Sequence, residues 1–517
     1  MDVKAIRTRY ADLPGFGPGH ILARLQAGDV PDGFPFYTQA HVSRSAYLDR
    51  RKLADVLQAG NTCYGNTLSD SQMESLRTNG RLVVTGQQPG LLTGPLYALW
   101  KAISTVIWAR RLSRQTGIRH LPCFWMATED HDVLEVNRVT VAGHTFVWDY
   151  PGPLRSGEVP EVGGISLLQC KKPLLAFLNR HLPQTEYTSQ VMNMVAAADY
   201  SNYATLFASL LLGICRGYEL LLLDPRHIRR LTAPVLADLA EHWHQVRQAF
   251  VEGTDMLMRA GYAPQVRSAD IFEINKQGRR KCRHTAKGFQ TTAGDLSRRE
   301  LAEAIRARPE HFSPNAALRP VLQDAVLPVA LYLGGPAEML YQWQIDPLFA
   351  VLGVQRSKLH PRVSATLVEP AVRRALDKTG IPLEQLFYAV ETLKTYQPDT
   401  GECPEALEVQ RLAAPLVAHL DALQAGSGDP VIAKAAASIA YQAERAAKRL
   451  AVLRVQKTKG TRQHLERIVA GVYPGGKLQE RVNNMFYYLA KYGMYFPGRI
   501  IECLTRDICH QAVVLGG

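Results

Sequence analysis

Five short apolar runs divide the first two thirds of the sequence, and each is separated from the next by a stretch with helical character. They lie at residues 81–85, 121–127, 219–223, 327–333 and 354–359. Buried strands that alternate with helices are typical of a parallel sheet covered by helices. The sequence therefore predicts an α/β fold with a doubly wound parallel sheet.

Polar or glycine-rich segments follow these runs at the points where the chain leaves the predicted sheet. The segments are Thr85–Gln88, Thr128–Asp132, Asp224, Gly334–Glu338 and Arg362. Ligands of open parallel sheets bind beyond the carboxyl ends of the strands. We therefore predict that these segments converge on one binding cleft.

The first segment leads through several glycines into a helix that we predict from Pro95 to Leu112. A helix N-terminus after such a turn can hold a nucleotide or an acidic substrate through backbone N–H groups. The spacing matches neither G-x-G-x-x-G nor G-x-x-x-x-G-K-[ST], so a plain strand-to-helix turn is the open alternative. The candidate ligand contacts are Thr85, Gly86, Gln87, Gln88, Gly94 and Tyr97.

The second segment contains the candidate catalytic residues, namely Glu129, Asp130, His131 and Asp132. Three carboxylates around a histidine can act in acid–base catalysis, bind an ammonium group or coordinate a metal such as the Mg²⁺ of ATP. The alternative is a hydrogen-bonded loop that caps the next element. The spacing does not match a zinc signature, so we predict no resident metal.

Glycine or polar residues also follow the fourth and fifth apolar runs. Gly334 and Gly335 would let a ligand approach the backbone, and Glu338 begins the next helix. The alternative is that these residues only form a tight junction between the strand and the helix. Arg362 and Ser364 could contact a phosphate or a carboxylate, although a single arginine at this position is also compatible with a structural role.

Beyond residue 375 the pattern changes to heptads. Apolar residues recur at spacings of four and three over 409–423 and 432–453, and Gly426–Pro430 separates the two stretches. This pattern predicts an antiparallel coiled-coil hairpin. Such an arm can brace the core or join two copies of the chain, and we expect a homodimer.

The expected division of the chain has four parts. They are an N-terminal segment (1–80) packed on the core, a core (81–375) with insertions at about 133–200 and 262–310, a coiled-coil arm (376–475), and C-terminal helices (476–517) that return to the core.

Composition excludes several classes of protein. The net charge of +13 favours anionic partners, but the basic residues are dispersed, which makes nucleic acid an unlikely partner. Eight cysteines without a C-x-x-C pair predict reduced thiols, no structural zinc and a cytoplasmic location. No window approaches 18 uninterrupted apolar residues, so we expect no membrane span.

Several of these motifs together resemble the BshC family of bacillithiol biosynthesis, nearly end to end and in the family's order. The matching residues are Thr85–Gly90 with Gly94–Tyr97, Phe124 and Trp125 with Glu129–Asp132, Ser313–Asn315 with Leu318–Pro320 and Gln323–Asp324, Gly334–Glu338, and Leu478–Arg481 with Asn484.

The resemblance implies a Rossmann-like core similar to that of class I aminoacyl-tRNA synthetases, with two insertions, a coiled coil and a dimer. It also implies a ligase that adds cysteine, through its carboxyl group, to the amine of glucosaminyl-malate. By analogy with the synthetases, ATP with Mg²⁺ would activate the carboxyl group. A second nucleotide contact is expected at Gln479, Arg481 and Asn484.

In this hypothesis the turn at 85–97 holds a nucleotide or an acidic substrate. Residues 129–132 orient an amine or accept its proton, and Arg362 meets a carboxylate or phosphate. Two other classes stay open. One is a synthetase-like protein that binds nucleotide or RNA without ligase activity, and the other is a scaffold that uses the coiled coil.

Overall fold

The computed structural model describes residues 3–17, 19–39, 41–155, 158–395, 405–454, 461–505 and 507–516. Its strands are β1 Val3–Thr8, β2 Arg81–Gln87, β3 His120–Met126, β4 Arg138–Val141, β5 His144–Val147, β6 Leu221–Leu223, β7 Ile271–Asn275, β8 Gly278–Lys281, β9 Arg283–Thr285, β10 Gly288–Thr291, β11 Gly294–Leu296, β12 Phe312–Pro314, β13 Val329–Gly334, β14 Lys358–Pro361, β15 Ser364–Val368 and β16 His510–Leu515.

Its helices are α1 Ile21–Gln26, α2 Arg50–Cys63, α3 Asp70–Arg77, α4 Leu96–Thr116, α5 Val133–Val136, α6 Leu168–His181, α7 Thr188–Ala197, α8 Tyr203–Ile214, α9 Arg229–Glu241, α10 Trp243–Arg259, α11 Arg298–Ala307, α12 Arg319–Val326, α13 Pro336–Gln344, α14 Asp346–Val351, α15 Pro370–Thr379, α16 Tyr388–Thr395, α17 Glu405–Ser427, α18 Pro430–Arg454, α19 Thr461–Val472, α20 Met485–Tyr492 and α21 Phe496–Cys503. No described helix combines the length and the apolar character that a membrane crossing requires.

The chain forms two compact units. The larger unit contains the described residues of 24–364 and 480–508, and the smaller unit contains those of 1–23, 365–479 and 509–517.

The larger unit is built on a five-stranded sheet with the order β14-β13-β2-β3-β6. All four strand pairs are parallel. The predicted parallel α/β sheet is confirmed. Four of the strands overlap the predicted apolar runs closely, whereas β14 begins at Lys358, four residues later than the predicted run at 354–359. Burial explains the pattern, because every residue of β3 and β13 is buried and must be apolar or hydrogen-bonded.

The turn between β2 and α4 is strained. Leu92 and Thr93 both have a positive φ, at 49° and 66°, which residues with a side chain rarely adopt. The buried amide of Asn484 holds this turn, since its Nδ2 donates to the carbonyl oxygens of Leu92 (2.7 Å) and Gly94 (2.6 Å). A segment near the end of the chain therefore fixes the turn after the first central strand.

The second predicted insertion contains two small antiparallel sheets, β12-β7-β8 and β11-β10-β9. Strands β7 to β11 lie within the predicted bounds of about 262–310, and β12 begins just beyond these bounds, at Phe312. The sheet β12-β7-β8 is the one that contributes to the candidate site, because Arg279 lies on β8 and is buried.

In the smaller unit, β1 pairs antiparallel with β16, from Val3 opposite Leu515 to Thr8 opposite His510. Helices α17 and α18 pack against each other on either side of a short turn that contains Gly428, with φ +69°. The predicted antiparallel hairpin is confirmed. Within it, Leu412, Leu416 and Leu423 lie on an exposed face, with exposed fractions of 59%, 49% and 47%.

Candidate active site

A cleft with a volume of about 390 Å³ lies in the larger unit, at the carboxyl ends of β2 and β3. Predicted site residues that line it are Gly86, Gln87, Gln88, Glu129, Asp130, His131 and Glu338. Arg279, Arg319 and Tyr341 also line it, although no pattern in the sequence had placed them in the site. The structure thus brings three of the five strand-end segments to one cleft.

One wall of the cleft is held by Lys101, whose side chain is only 3% exposed. Its Nζ donates to the carbonyl oxygen of Gly86 (2.5 Å) and to Gln87 Oε1 (2.7 Å), and it lies 2.8 Å from Glu338 Oε2. Glu338 also accepts a hydrogen bond from the backbone N–H of Gly335 (2.8 Å), which caps α13. Lys101 therefore ties the end of β2 to the start of the helix after β13.

Burial affects both charged groups of this pair. Desolvation lowers the pKa of Lys101, although Glu338 opposes the shift. For Glu338, desolvation alone would raise the pKa, but the ion pair with Lys101 and the hydrogen bonds outweigh it and hold the pKa below its ordinary value. The ion pair thus stabilises the charged forms of both buried groups, as buried charges require.

The histidine of the candidate catalytic segment is paired with an arginine. Arg279 Nη1 lies 2.9 Å from His131 Nδ1, and its other nitrogens donate to Ser313 Oγ (3.0 Å) and the carbonyl of Pro314 (2.7 Å). Because a guanidinium only donates, His131 Nδ1 must accept, and the imidazole is neutral with its proton on Nε2. Burial and the charge of Arg279 lower the pKa of His131 accordingly.

The carboxylates of this segment have different surroundings. Glu129 accepts a hydrogen bond from Arg229 Nε (3.0 Å), and Arg229 also pairs with Glu161. Asp130 is 42% exposed and caps its own turn by accepting from the backbone N–H of His131 (2.7 Å). Glu129 is therefore committed to an ion pair, whereas Asp130 is accessible to a ligand.

Two further carboxylates lie at the end of the segment and just after it. Asp132 caps the short helix α5 by accepting from the backbone N–H of Glu135 (3.2 Å), which fits the alternative of a capping loop for this one residue. Glu135 lines the cleft. Burial, with the charges of Asp130 and Asp132, raises its pKa.

Asp224, at the end of β6, is surrounded by hydrogen-bond donors of the protein itself. It is buried and accepts hydrogen bonds from Thr128 Oγ1 (2.6 Å), Tyr64 Oη (2.5 Å) and Arg226 Nη2 (2.6 Å). Burial would raise its pKa, but Arg226 and the hydrogen bonds outweigh that effect and lower it. This carboxylate braces the sheet end and does not line the cleft.

Arg362 and Ser364 contact a carboxylate of the protein itself. Arg362 forms a bidentate ion pair with Glu480, at 2.7 and 3.0 Å, and Ser364 Oγ donates to the same carboxylate (3.1 Å). The side chains of Arg362 and Glu480 are 5% and 2% exposed. The Arg362 guanidinium also lies 5.9 Å from the ring centre of Tyr97.

Other predicted contacts support the backbone. The hydroxyl of Thr85 donates to the carbonyl of Leu333 (2.7 Å) and so joins β2 to β13. Gln87 Nε2 donates to the hydroxyl of Tyr97 (3.2 Å), and burial raises the pKa of Tyr97 to about 12. The carbonyl of Gly334 accepts from the backbone N–H of Arg362 (2.9 Å).

The expected second nucleotide contact is divided between the two units. Gln479 is buried in the smaller unit, where its amide bonds both backbone groups of Leu367 (2.8 and 2.9 Å) and the carbonyl of Gly471 (2.7 Å). Arg481 is exposed in the larger unit, and Asn484 holds the turn before α4. Gln479 and Asn484 thus each use a side-chain amide to bond the protein's own backbone.

The missed residues had weak signals in the sequence. Lys101 is a single lysine inside the predicted apolar helix, Arg279 is one of several basic residues in an insertion, and Arg319 lies in the motif Leu318–Pro320. Among the described residues, no group of three or more His, Cys, Asp or Glu side chains is arranged to hold a metal ion.

A cleft at the strand ends of a parallel sheet, with paired carboxylates and arginines, defines a Rossmann-like protein with a site for small polar ligands. Two family models match the chain. "Bacillithiol biosynthesis BshC, N-terminal Rossmann-like domain" matches residues 27–363, and "Bacillithiol biosynthesis BshC, C-terminal coiled-coil domain" matches residues 365–510. The chain belongs to this BshC family.

Curated relatives agree along most of the length. A protein of Koribacter versatilis is 31% identical over 481 residues, which is 90% of each chain, and one of Salinibacter ruber is 30% identical over 94% of each. Both carry the description "Putative cysteine ligase BshC". A solved structure described as a "putative arginyl t-RNA synthetase" from Campylobacter jejuni covers 89% of this chain and 100% of its own at 10% identity, with a TM-score of 0.23, and carries no argument.

Proposed function

We propose that this protein is a cysteine ligase, which joins the carboxyl group of cysteine to the amine of glucosaminyl-malate in the last step of bacillithiol biosynthesis. The family membership and the description that the relatives share support the ligase activity. The observation that carries the proposal is the cleft, because it holds accessible carboxylate and guanidinium groups together at the strand ends. Such groups suit substrates that carry both amines and acids.

A carboxylate does not form an amide without activation, and we propose that ATP with Mg²⁺ supplies this activation. The guanidinium group of Arg319 suits its phosphates, since it lines the cleft and forms no ion pair with a carboxylate among the described residues. Glu135 suits Mg²⁺, which commonly takes one or two carboxylates and completes its shell with phosphates and water.

We assign the proton transfer to Asp130. The attacking amine must lose a proton as the amide forms, and the acceptor must be accessible. His131 Nδ1 already accepts from Arg279, so the imidazole is suited to orienting a substrate through Nε2–H. Asp130 is 42% exposed, faces the same cleft and has room for a ligand.

Substitution of Asp130 by asparagine is expected to lower the rate of amide formation by roughly 10²–10⁴, the range in which general acid–base groups contribute. His131→Ala is expected to lower it as well, because the side chain that orients the amine is removed. The measurement is mass-spectrometric detection of bacillithiol from cysteine, glucosaminyl-malate and ATP with Mg²⁺.

Glu303→Gln is the matched control, since it removes a carboxylate that is 57% exposed on α11 and should leave the rate unchanged. If Asp130→Asn and His131→Ala both keep the parent rate while circular dichroism shows an intact fold, the assignment of this segment is wrong. If the parent forms no product with all three substrates, the proposed reaction is wrong.

We also propose that the protein is a homodimer that associates through the hairpin. Leu412, Leu416 and Leu423 are spaced by four and seven residues, so they lie on one face of α17. That face is exposed, and a second copy of the same stripe would bury it.

The double substitution Leu412→Glu/Leu416→Glu is therefore expected to give a monomer, because it places charges in the middle of the proposed contact. Sedimentation equilibrium of the purified protein measures the mass. Leu168→Glu is the control, since it changes a leucine that is 66% exposed on α6 and should leave the dimer intact. A monomeric parent, or a dimeric double variant, contradicts the proposal.

A further inference from the structure

The cations around the cleft differ in how their charge is balanced. Lys101, Arg229 and Arg362 each pair with a carboxylate, at 2.8, 3.0 and 2.7 Å. Arg319 has no such partner in the part of the chain that the structure describes. A desolvated charge gains from an anionic partner. Arg279 likewise has no ion-paired carboxylate among the described residues, but all three of its nitrogens contact acceptors of the protein, so Arg319 is the stronger candidate for binding a ligand.

The contacts of Arg319 are neutral. Its Nη2 donates to the hydroxyl of Tyr341, a bond to Tyr332 supports it, and its guanidinium lies 6.0 Å from the ring centre of Trp125. These contacts orient the planar group at the wall of the cleft but do not neutralise it. An oriented guanidinium can bind a carboxylate or phosphate with two parallel hydrogen bonds.

Gly86 explains how the guanidinium fits there. A Cβ on this residue would lie 2.9 Å from Arg319 Nη1 and 3.2 Å from the carbonyl oxygen of Trp125. Arg319 therefore packs directly against the backbone at the end of β2. A side chain at residue 86 would therefore force the end of the flexible Arg319 side chain to shift, so the glycine leaves room for the guanidinium in its present position.

Two more donors beside the cleft lack an acceptor. Gln88 is 7% exposed, and neither Nε2 nor Oε1 has a hydrogen-bond partner among the described residues. The indole N–H of Trp125 also has none. Buried polar groups are normally hydrogen-bonded, so unsatisfied donors in the wall of a cleft indicate that a ligand completes them. Gln88, Trp125 and Arg319 all line this one cleft.

We propose that Arg319, with Gln88 beside it, forms an anion subsite that takes a carboxylate or phosphate group of a substrate. The identity of the two candidate ligands rests on the proposed function, where glucosaminyl-malate supplies carboxylates and ATP supplies phosphates. The subsite itself rests on a guanidinium that has no carboxylate at ion-pair distance among the described residues, and on the unsatisfied amide of Gln88. Arg319 thus takes the role that the sequence had suggested for Arg362, which is occupied by Glu480.

Isothermal titration of the full-length protein tests the subsite without any turnover. The probes are glucosaminyl-malate and, separately, ATP with Mg²⁺. Arg319→Met is expected to raise the Kd of one of them by roughly 30-fold or more, as truncation of one partner of a buried charge pair does. The Kd of Arg319→Lys should lie between those of the parent and Arg319→Met, because lysine keeps the charge and loses the bidentate geometry. The affected probe identifies a carboxylate or a phosphate as the anion.

Two variants leave Arg319 in place. Gln88→Leu is expected to raise the same Kd without lowering the urea midpoint, because it removes an unsatisfied buried amide. Gly86→Ala should also raise this Kd, because the added methyl group displaces the guanidinium of Arg319. Gln87→Leu is the matched stability control and should lower the midpoint, since that amide is bonded to Lys101 and Tyr97.

If both probes bind all variants within twofold of the parent, the subsite is wrong even when the parent makes bacillithiol. If the parent binds neither substrate and makes no product, titration with pyrophosphate and with L-malate separates the two proposals. Binding of either anion that is lost in Arg319→Met keeps the subsite and overturns the proposed reaction. If parent and Arg319→Met bind these anions equally, or if neither protein binds them, the subsite is overturned.

Discussion

Substitution of Lys101 by methionine is expected to lower the free energy of unfolding by about 3–5 kcal/mol, the range found when one partner of a buried ion pair is removed. The change leaves the carboxylate of Glu338 without its cation and removes a donor from the carbonyl of Gly86 and from Gln87. Because these groups form one wall of the cleft, activity should fall with stability. Urea unfolding followed by circular dichroism measures the first effect.

A double-mutant cycle separates the pair from its surroundings. Glu338→Gln alone leaves Lys101 without a counter-charge, whereas Lys101→Met/Glu338→Gln removes both charges. The double variant should therefore be more stable than the sum of the single effects predicts, by about 1–3 kcal/mol. Additive effects would show that the two side chains do not interact as the 2.8 Å distance indicates.

The pair also predicts a pH dependence. A carboxyl whose folded pKa is lowered, as that of Glu338 is, contributes stability that is present above its ordinary value of 4.5 and is lost as the pH falls below it. The parent should lose this contribution in acid. Glu338→Gln, which does not titrate, should show a flatter decline over the same range.

Substitution of Arg362 by methionine is the second change with a large expected effect, again about 3–5 kcal/mol in the free energy of unfolding. Arg362 and Glu480 are nearly inaccessible to solvent and are 118 residues apart in sequence, within the larger unit. The ion pair thus fastens the segment that begins at residue 480 to the end of the central sheet. Loss of the arginine removes both hydrogen bonds to a buried carboxylate.

Arg362→Lys separates this structural role from binding of a substrate anion. A lysine keeps the charge but cannot form the bidentate contact with Glu480, so most of the stability should still be lost. Ser364→Ala is the milder control and should cost about 1 kcal/mol, because it removes the hydrogen bond from the hydroxyl to Glu480. An Arg362→Lys variant with parental urea stability and a raised Kd for a substrate would instead support the ligand role predicted from the sequence.

The differences between strand-end residues show how far sequence reasoning reaches. Glu129 and Asp130 are adjacent and chemically alike, yet one pairs with Arg229, from a helix 100 residues away, and the other faces the cleft. Gln87 and Gln88 differ in the same way, because one is bonded to Lys101 and the other has no partner among the described residues. A local pattern cannot make these distinctions, since the partners come from distant parts of the chain.

The sequence by itself determined the parallel sheet, its five strands and the coiled-coil hairpin, because burial imposes an apolar period that is readable along the chain. It also located the strand ends that border the cleft, since parallel strands place their carboxyl ends at one edge. Only the tertiary structure decided that Arg362 is paired with Glu480, that Lys101 and Glu338 form one wall of the cleft, and that Arg319 lines the cleft without an ion-paired carboxylate among the described residues. The physical reason is that a side chain's role depends on which distant charges and donors reach it, and that proximity is created only by folding.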